Sequence, residues 1–496
     1  MALLEEPIKE VKVLKNYING EWVESKGELV DVVNPATMKV IAKVPISTRE
    51  EIDAAVEAAQ NAFYDWRRTT PLARSRILFR FKELLEENFE KASRIQTQEH
   101  GKCIDESRGE SRRGIENVEV ACGIPTLMQG YISEDIAHGI DEWCIPTPLG
   151  VFGIIGPFNF PFMIPLWSAP YAVATGNTIV IKPSSEVPLS QDFLAHLAEE
   201  AGFPPGVWNV VHGGRTVVNG MLEHPKIKGI TFVGSTPVGR DVIYRRCGET
   251  GKRCIAQCGA KNFMTIMPDC DVENTIAAMM TSFFGNTGQR CLAAANAVIV
   301  GDDDKFYEDF VAKVVDRASK IKVGYGLDES VQMGPLRDPA KKQNVLNYIE
   351  IGLKEGAELL LDGRKVKIEG DLPDDCFVGP TIFQNVRPDS RLGSEEIFGP
   401  VMSIMRVKTL EEAVEIANAN PFGNGHSIFT SSGKAARYFR YNIESGNVGI
   451  NIGITAPMAF FPFSGMKDSF FGVLHTQGKE AIRFFTESKV VIERWF

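Results

Sequence analysis

Residues 178–211 read TIVIKPSSEVPLSQDFLAHLAEEAGFPPGVWNVV. ThrIleValIle (178–181) is β-branched, the composition of a strand, and it stops at Lys182-Pro183, where the proline removes a ladder donor. Ser190–Gly202 carries apolar residues at helical spacing and ends on a glycine, and TrpAsnValVal (208–211) returns to strand composition. Strand, crossover helix and strand in one short stretch make a βαβ unit, whose strands run parallel.

The alternation continues on both sides. GlyValPheGlyIleIleGly (150–156) and IleThrPheValGly (230–234) read as further strands, and a helix is expected over Pro237–Arg246. Upstream, residues 50–120 have helical texture and open on a cap-like Ser47/Thr48. After the Cys258-Gly259 turn a second series begins. PheMetThrIleMet (263–267) and AlaValIleVal (297–300) read as strands, with helices over Asp271–Phe284, Asp303–Ile321 and Pro339–Gly356. Two α/β units with parallel sheets follow. Glu134–Pro148 and the Lys489–Trp495 tail read as extended stretches outside both, and exposed strands of that kind pair with other chains. A homo-oligomer is therefore expected, as a dimer or a tetramer.

At 496 residues, 44% hydrophobic and 24% charged, the chain has ordinary globular composition and ample length for a large core. The net charge of −10 removes the basic footprint that non-specific nucleic-acid binding needs. The N-terminal stretch is too charged for the apolar core of a signal peptide. The most apolar stretch, about 151–174, is interrupted by Pro157, Pro161, Pro165 and Pro170, which argues against a membrane span. A soluble, cytoplasmic protein is expected, with no nucleic-acid or membrane partner. Nine scattered cysteines fit a reducing compartment. Cys254 and Cys258 form a lone CxxxC with no histidine nearby, so they read as two buried thiols and no metal site is expected.

The stretch richest in chemistry is Phe284-Gly285-Asn286-Thr287-Gly288-Gln289-Arg290-Cys291, where an apolar helix ends in a Gly/Asn/Gly loop presenting an arginine and then a cysteine. A neighbouring guanidinium is expected to lower the thiol pKa and favour the nucleophilic thiolate; the alternative is a buried structural thiol. In Pro157-Phe158-Asn159-Phe160-Pro161 an asparagine stands between prolines at a strand end. It either donates its NH2 to an oxyanion or caps a turn. Lys182 sits at the carboxyl edge of its strand, where open α/β sheets bind ligands; otherwise it is a solvated strand-end lysine. Phe232-Val233-Gly234-Ser235 followed by Gly239 makes a tight strand-to-helix turn suited to a pyrophosphate, although the spacing is not GxGxxG.

Taken in order, PFNFP, IKPSSEVP, FVGS, GQRC, EEIFGP (395–400) and PFSGMK (462–467) resemble the aldehyde dehydrogenase superfamily over nearly the whole chain. The resemblance implies a Rossmann-type NAD(P)-binding domain (1–130 and 149–256), an α/β catalytic domain (257–455) and a small β oligomerisation segment (131–148 and 456–496). It also implies that Cys291 is the nucleophile and Asn159 the oxyanion amide. Cofactor contacts then fall to Pro157 and Phe158, to Lys182 at the adenosine ribose, to Gly234 and Ser235 at the pyrophosphate, and to Glu396 and Phe398 at the nicotinamide end. Where hydrolytic members of the family carry a general base, this chain has Gln257, which accepts no proton. The thioester is therefore expected to leave on a thiol such as coenzyme A.

The Gly-Ala-Lys-Asn run, IPLW (164–167), NPFGNG (420–425) and the FSGMKDSFFG ending are most similar to the methylmalonate-semialdehyde dehydrogenases, which are CoA-acylating. That similarity implies a carboxylated aldehyde as substrate, held by Arg290 and by Arg113 of an Arg-Gly pair. Arg112 is adjacent, and a surface ion pair of Arg113 with Glu110 or Glu116 is the alternative. Ser185 stands where NAD-specific relatives carry a glutamate, with Glu186 displaced by one residue, so NADP+ is expected to be accepted beside NAD+. Two rival activities remain: oxidation of a phosphorylated aldehyde such as glyceraldehyde 3-phosphate, and thiol acyl transfer without redox chemistry. A non-catalytic binding protein of the same fold is the third alternative.

Overall fold

The strand Thr178–Lys182 lies near the middle of an eight-stranded sheet in the computed structural model, which describes residues 3–496. Its neighbours are Val151–Ile155 and Trp208–Val210, both parallel to it, and Ile227–Val233 and Arg253–Gln257 continue the parallel run on the far side. All five residues of Val151–Ile155 and of Thr178–Lys182 are buried, as expected of strands covered on both faces by helices. The crossover helix spans Leu189–Ala201 and stops at Gly202, whose φ of 87° supplies the left-handed C-cap. The chain leaves Val151–Ile155 on one side and returns to its other side at Ile227–Val233. That reversal of strand order opens a crevice at the carboxyl ends, where Pro157–Asn159 and Gly234–Ser235 lie.

The long helical texture of 50–120 resolves into four helices, Arg49–Trp66, Pro71–Glu87, Phe89–His100 and Ile104–Cys122. At the first of these the Glu51 carboxylate accepts from the Thr48 N–H at 2.8 Å, half of a capping box. The expected helix over 237–246 is a short α turn, Thr236–Val238, followed by a π stretch, Gly239–Tyr244, and a last α turn, Arg245–Glu249. The helix before the Cys291 loop likewise changes from α (Val272–Met279) to π (Met280–Phe284).

The second α/β unit is a seven-stranded sheet built on Asn262–Ile266 and Ala294–Val300, which pair in parallel. Thr381–Gln384, Val401–Val407, Gly425–Phe429 and Asn447–Ile450 extend it. A three-stranded sheet outside both units joins Tyr131–Ala137, Ile140–Pro148 and Thr486–Glu493. The two extended stretches expected outside both units pair with each other inside the chain, antiparallel over eight residues from Thr486↔Pro148 to Glu493↔Asp141, and leave the outer edges of the sheet open. The tail also returns inward: Phe470–Gly472 adds an antiparallel edge strand to Arg253–Gln257. Among the described residues no helix is long and apolar enough to cross a membrane.

Candidate active site

The segment leading to Cys291 is held in an unusual conformation. Asn286, Thr287 and Gly288 all have left-handed backbones, with φ of 50°, 54° and 71°. A β-branched residue there is strained by about 1–3 kcal/mol, so neighbouring contacts must hold it. Thr287 Oγ1 donates to Gly334 O at 2.9 Å, Asn286 Nδ2 donates to Gln289 O at 3.2 Å, and Gln289 Oε1 accepts from the Arg337 N–H at 3.2 Å. A Cβ on Gly288 would lie 2.2 Å from Gly399 O, so glycine alone fits. Beyond the loop, the Cys291 carbonyl is pinned by Asn262 Nδ2 at 2.8 Å and Asn424 Nδ2 at 2.9 Å. Both lie in runs that carry the family resemblance, Gly-Ala-Lys-Asn ending at Asn262 and NPFGNG (420–425), but only the fold brings them to Cys291.

Burial pushes the Cys291 thiol up to about 12, and the nearby Glu396 carboxylate pushes the same way; Arg290 opposes them more weakly. Arg290 thus lowers the thiol pKa as expected, but too weakly to favour the thiolate. The Arg290 guanidinium is ion-paired with Glu106, so its charge is largely balanced, and desolvation of the thiolate outweighs it.

Asn159 is buried beside Cys291. Its Nδ2 donates one hydrogen to Gln289 O at 3.0 Å, which orients the amide. The Asn159 backbone carbonyl accepts from Lys102 Nζ at 2.7 Å. Lys102 is itself wholly buried and 2.5 Å from Glu110, also wholly buried. The other Glu110 oxygen accepts from the Phe162 and Met163 N–H groups at 2.9 and 3.1 Å. One ion pair therefore clamps the Asn159 loop at both ends. The sequence signals neither partner, because the pairing is made across 57 residues.

Cys291 stands where two cavities meet. The first, about 510 Å³, is lined by Pro157, Phe158, Asn159 and Lys182 on one wall and by Gly234, Ser235, Glu396 and Phe398 on the other. Lys182 is a buried cation with no acidic hydrogen-bond partner. Its Nζ touches only the Pro183 and Gly213 carbonyls, at 2.5 and 3.2 Å, and burial lowers its pKa to about 8. Such an ammonium calls for hydroxyl or phosphate oxygens. The chain turns into the 236–249 helix directly after Ser235, and first-turn N–H groups lack intrahelical acceptors. Burial raises Glu396 to about 7, and its Oε1 accepts from the Ala260 N–H at 2.8 Å. Phe398, held at φ 59°, packs edge-on against Phe158 at 5.8 Å. A dinucleotide fits this donor set.

Two expected contacts are not on that wall. Ser185 stands just behind it, donating to the same Gly213 carbonyl as Lys182, at 3.2 Å, and Ser184 faces the cavity instead. Glu186 is drawn away by Lys341, 2.8 Å distant, which also covers the Phe158 ring at 4.3 Å. The Gln257 side chain is held by its Nε2, which donates to Ser464 O at 2.9 Å and to Asn424 Oδ1 at 3.4 Å.

The second cavity, about 380 Å³, shares Cys291 with the first and includes both Arg113 and Arg290. Arg112 is excluded, because it faces the surface and pairs with Glu86 at 2.8 Å. Arg113 Nη1 lies 3.2 Å from Glu116, and the side chain is 36% exposed, so part of its donor fork remains open. Phe160, Trp167 and Phe463 give the cavity aromatic walls, with Trp167 and Phe463 stacked at 4.4 Å. Cys258 is a buried thiol on the first cavity, Cys254 is half-buried, and all nine cysteines are free. No group of three potential metal ligands occurs among the described residues.

Comparison with known proteins agrees with this arrangement. The chain matches the aldehyde dehydrogenase family model over residues 22–491. It is 49% identical, over 98% of its length and 99% of the relative, to malonate-semialdehyde dehydrogenase 2 of Geobacillus kaustophilus (strain HTA426). Its fold matches the crystal structure of methylmalonate-semialdehyde dehydrogenase from Oceanimonas doudoroffii with a TM-score of 0.95 and 42% identity, covering 98% and 99% of the two chains. A TM-score of 0.91 and 33% identity relate it to the NAD+ complex of an aldehyde dehydrogenase from Bacillus cereus, over 98% and 97% of the chains. With a half-buried cysteine between a dinucleotide cavity and a small aromatic one, the chain belongs to the aldehyde dehydrogenase family and is an NAD(P)-dependent oxidoreductase.

Proposed function

We propose that this enzyme carries out the CoA-acylating oxidative decarboxylation of malonate semialdehyde or methylmalonate semialdehyde, giving acetyl-CoA or propionyl-CoA. The observation that carries the proposal is the presence of Arg113 and Arg290 on the cavity that contains Cys291. Two guanidinium groups suit a carboxylate, which they bind through paired N–H donors. The names of the relatives above point the same way.

In the proposed reaction Cys291 gives up its thiol proton to water, its Sγ attacks the aldehyde carbon as thiolate, and the resulting alkoxide takes a hydrogen bond from the Asn159 amide and from the Cys291 N–H. A bound nicotinamide supplies the hydride acceptor. The acyl group left on Cys291 carries a β-carboxylate. Its C–C bond breaks with loss of CO2, and the electron pair stays on the α-carbon, which takes up a proton. The thiolate of coenzyme A then attacks the thioester, and Cys291 departs as thiolate. Gln257 supports a thiol acceptor over water, since its amide is committed to Ser464 and Asn424 and provides no base.

Lys182, Ser235, Glu396 and Phe398 would hold the dinucleotide. Ser185 behind the wall, with Glu186 turned to Lys341, leaves no carboxylate to repel a 2′-phosphate, so NADP+ is accepted beside NAD+. Residues 1–130 with 149–256 form the cofactor domain and 257–455 the catalytic domain. The exposed sheet of 131–148 and 486–493 mediates assembly in a homo-oligomer.

The test is a panel of 3-oxopropanoate and propanal, each assayed with and without CoA and with both cofactors. Sustained turnover of 3-oxopropanoate is expected only with CoA. Release of free acid at the full rate without CoA would overturn the acylating proposal. A more than tenfold preference for NAD+, about 1.4 kcal/mol, would overturn the argument from Ser185.

A further inference from the structure

The two arginines of the substrate cavity are not equally available. Arg113 keeps open donors, but Arg290 is only 11% exposed and is already ion-paired with Glu106, itself 17% exposed. Arg290 Nε is buried without an acceptor, so the guanidinium is only partly satisfied. Glu106 and Arg290 both line the cavity that contains Cys291. An incoming carboxylate therefore meets a cation whose charge is already balanced.

The acids of the Ile104–Cys122 helix differ in how firmly they are held. Glu110 is tied to Lys102 and to two backbone N–H groups. Asp105 is 83% exposed and pairs with Arg108 at 3.1 Å, and Glu116 pairs with Arg113. Glu106 has no partner but Arg290 among the described residues. Nothing else would be broken if it moved. Gly285 makes room for the pair: a Cβ there would lie 2.9 Å from Glu106 Oε1 and 3.2 Å from Arg290 Nη2.

We infer that Glu106 is a built-in stand-in for the substrate carboxylate: it occupies Arg290 in the free enzyme and is displaced when a carboxylated aldehyde binds. The inference rests on the carboxylate assignment made above. Its physical basis is that an uncompensated guanidinium in so buried a place is costly. Glu106 removes that cost when the subsite is empty, and returns once decarboxylation has removed the substrate's charge. An aldehyde without a carboxylate leaves the pair closed and gains nothing from Arg290. Glu106 thus weakens carboxylate binding in exchange for a site that tolerates both the charged substrate and the uncharged acyl group that follows.

The test is Glu106→Gln, with Glu106→Asp as the more conservative variant, whose shorter acid weakens the pair but keeps the charge. In E106Q the KM for 3-oxopropanoate is expected to fall about tenfold, about 1.4 kcal/mol, with no fall in the KM for propanal. The dissociation constant of 3-hydroxypropanoate, a non-reacting carboxylate read by thermal shift, falls in parallel, and E106D shows a smaller change in the same direction. An unchanged or raised KM for 3-oxopropanoate, or an equal fall for propanal, would overturn the inference. Arg290→Lys separates the two levels. If R290K leaves the preference for 3-oxopropanoate over propanal intact, the carboxylate assignment itself fails. If R290K abolishes that preference while E106Q does not sharpen it, the counter-ion role alone fails.

Discussion

At Cys291 the main obstacle to chemistry is desolvation: burial raises the thiol pKa more than Arg290 lowers it, and Glu396 adds to the effect. Without cofactor, alkylation of Cys291 by iodoacetamide should keep accelerating about tenfold per pH unit between about pH 8 and 10, with no levelling near 8.5. Glu396→Gln removes the second-largest cause of the shift and should speed alkylation at pH 8; a plateau at the free-thiol pKa in the native enzyme would contradict both expectations. Burial also raises the pKa of Glu396 from the ordinary 4.5 to about 7. Its contribution to stability is therefore present below 4.5 and lost as pH rises through 7, a slope that the glutamine variant lacks. Asn159→Ala should lower kcat by about 10²–10³-fold, about 2.7–4 kcal/mol, if its amide serves the alkoxide. Steady-state kinetics would show it, with cofactor affinity measured separately as the control.

Among elements, the Ile104–Cys122 helix does most to assemble the site. It brings Glu106 and Arg113 to the substrate cavity and Glu110 to the Asn159 loop. Lys102→Met leaves Glu110 buried and unpaired, which should cost about 3–5 kcal/mol in thermal unfolding and lower kcat as Asn159 loses its anchor. Adding Glu110→Gln keeps an acceptor for the Phe162 and Met163 N–H groups and should recover most of the stability; no recovery would mean that the ion pair is not the clamp. That this region is helical was legible in the sequence, from the texture of 50–120, but its division into four helices was not. Which of its charged residues turn inward was not either, because Arg112 and Arg113 differ by one position and only packing chooses between them. The π stretches at Gly239–Tyr244 and Met280–Phe284 were also invisible, because at six and five residues each is too short to establish a period of its own.

For the molecule as a whole, the open question is assembly. The three-stranded sheet exposes Tyr131 (76%), Val490 (60%) and Ile492 (67%) on strands whose outer edges are unpaired in the chain. Exposed strand edges carrying apolar side chains recruit other chains. Ile492→Glu with Val490→Lys should therefore reduce the assembly mass in light scattering while leaving unfolding of the chain little changed, since both side chains are exposed. An unchanged mass would place the subunit contacts elsewhere.

The sequence by itself determined the two α/β alternations, the order of the family motifs, and the positions of Cys291, Asn159 and Lys182. The alternations follow from strand and helix periodicity, and the motif order, with the places of Cys291, Asn159 and Lys182 in it, from resemblance to the aldehyde dehydrogenase family. Only the tertiary structure decided that Arg113 and not Arg112 reaches the cavity, that Glu186 turns to Lys341, that Arg290 is occupied by Glu106, and that the thiol is held protonated. Those outcomes depend on burial and on partners brought together from distant segments, and a carboxylate's partner or a thiol's desolvation is a property of the packed site, not of the neighbouring residues in the chain.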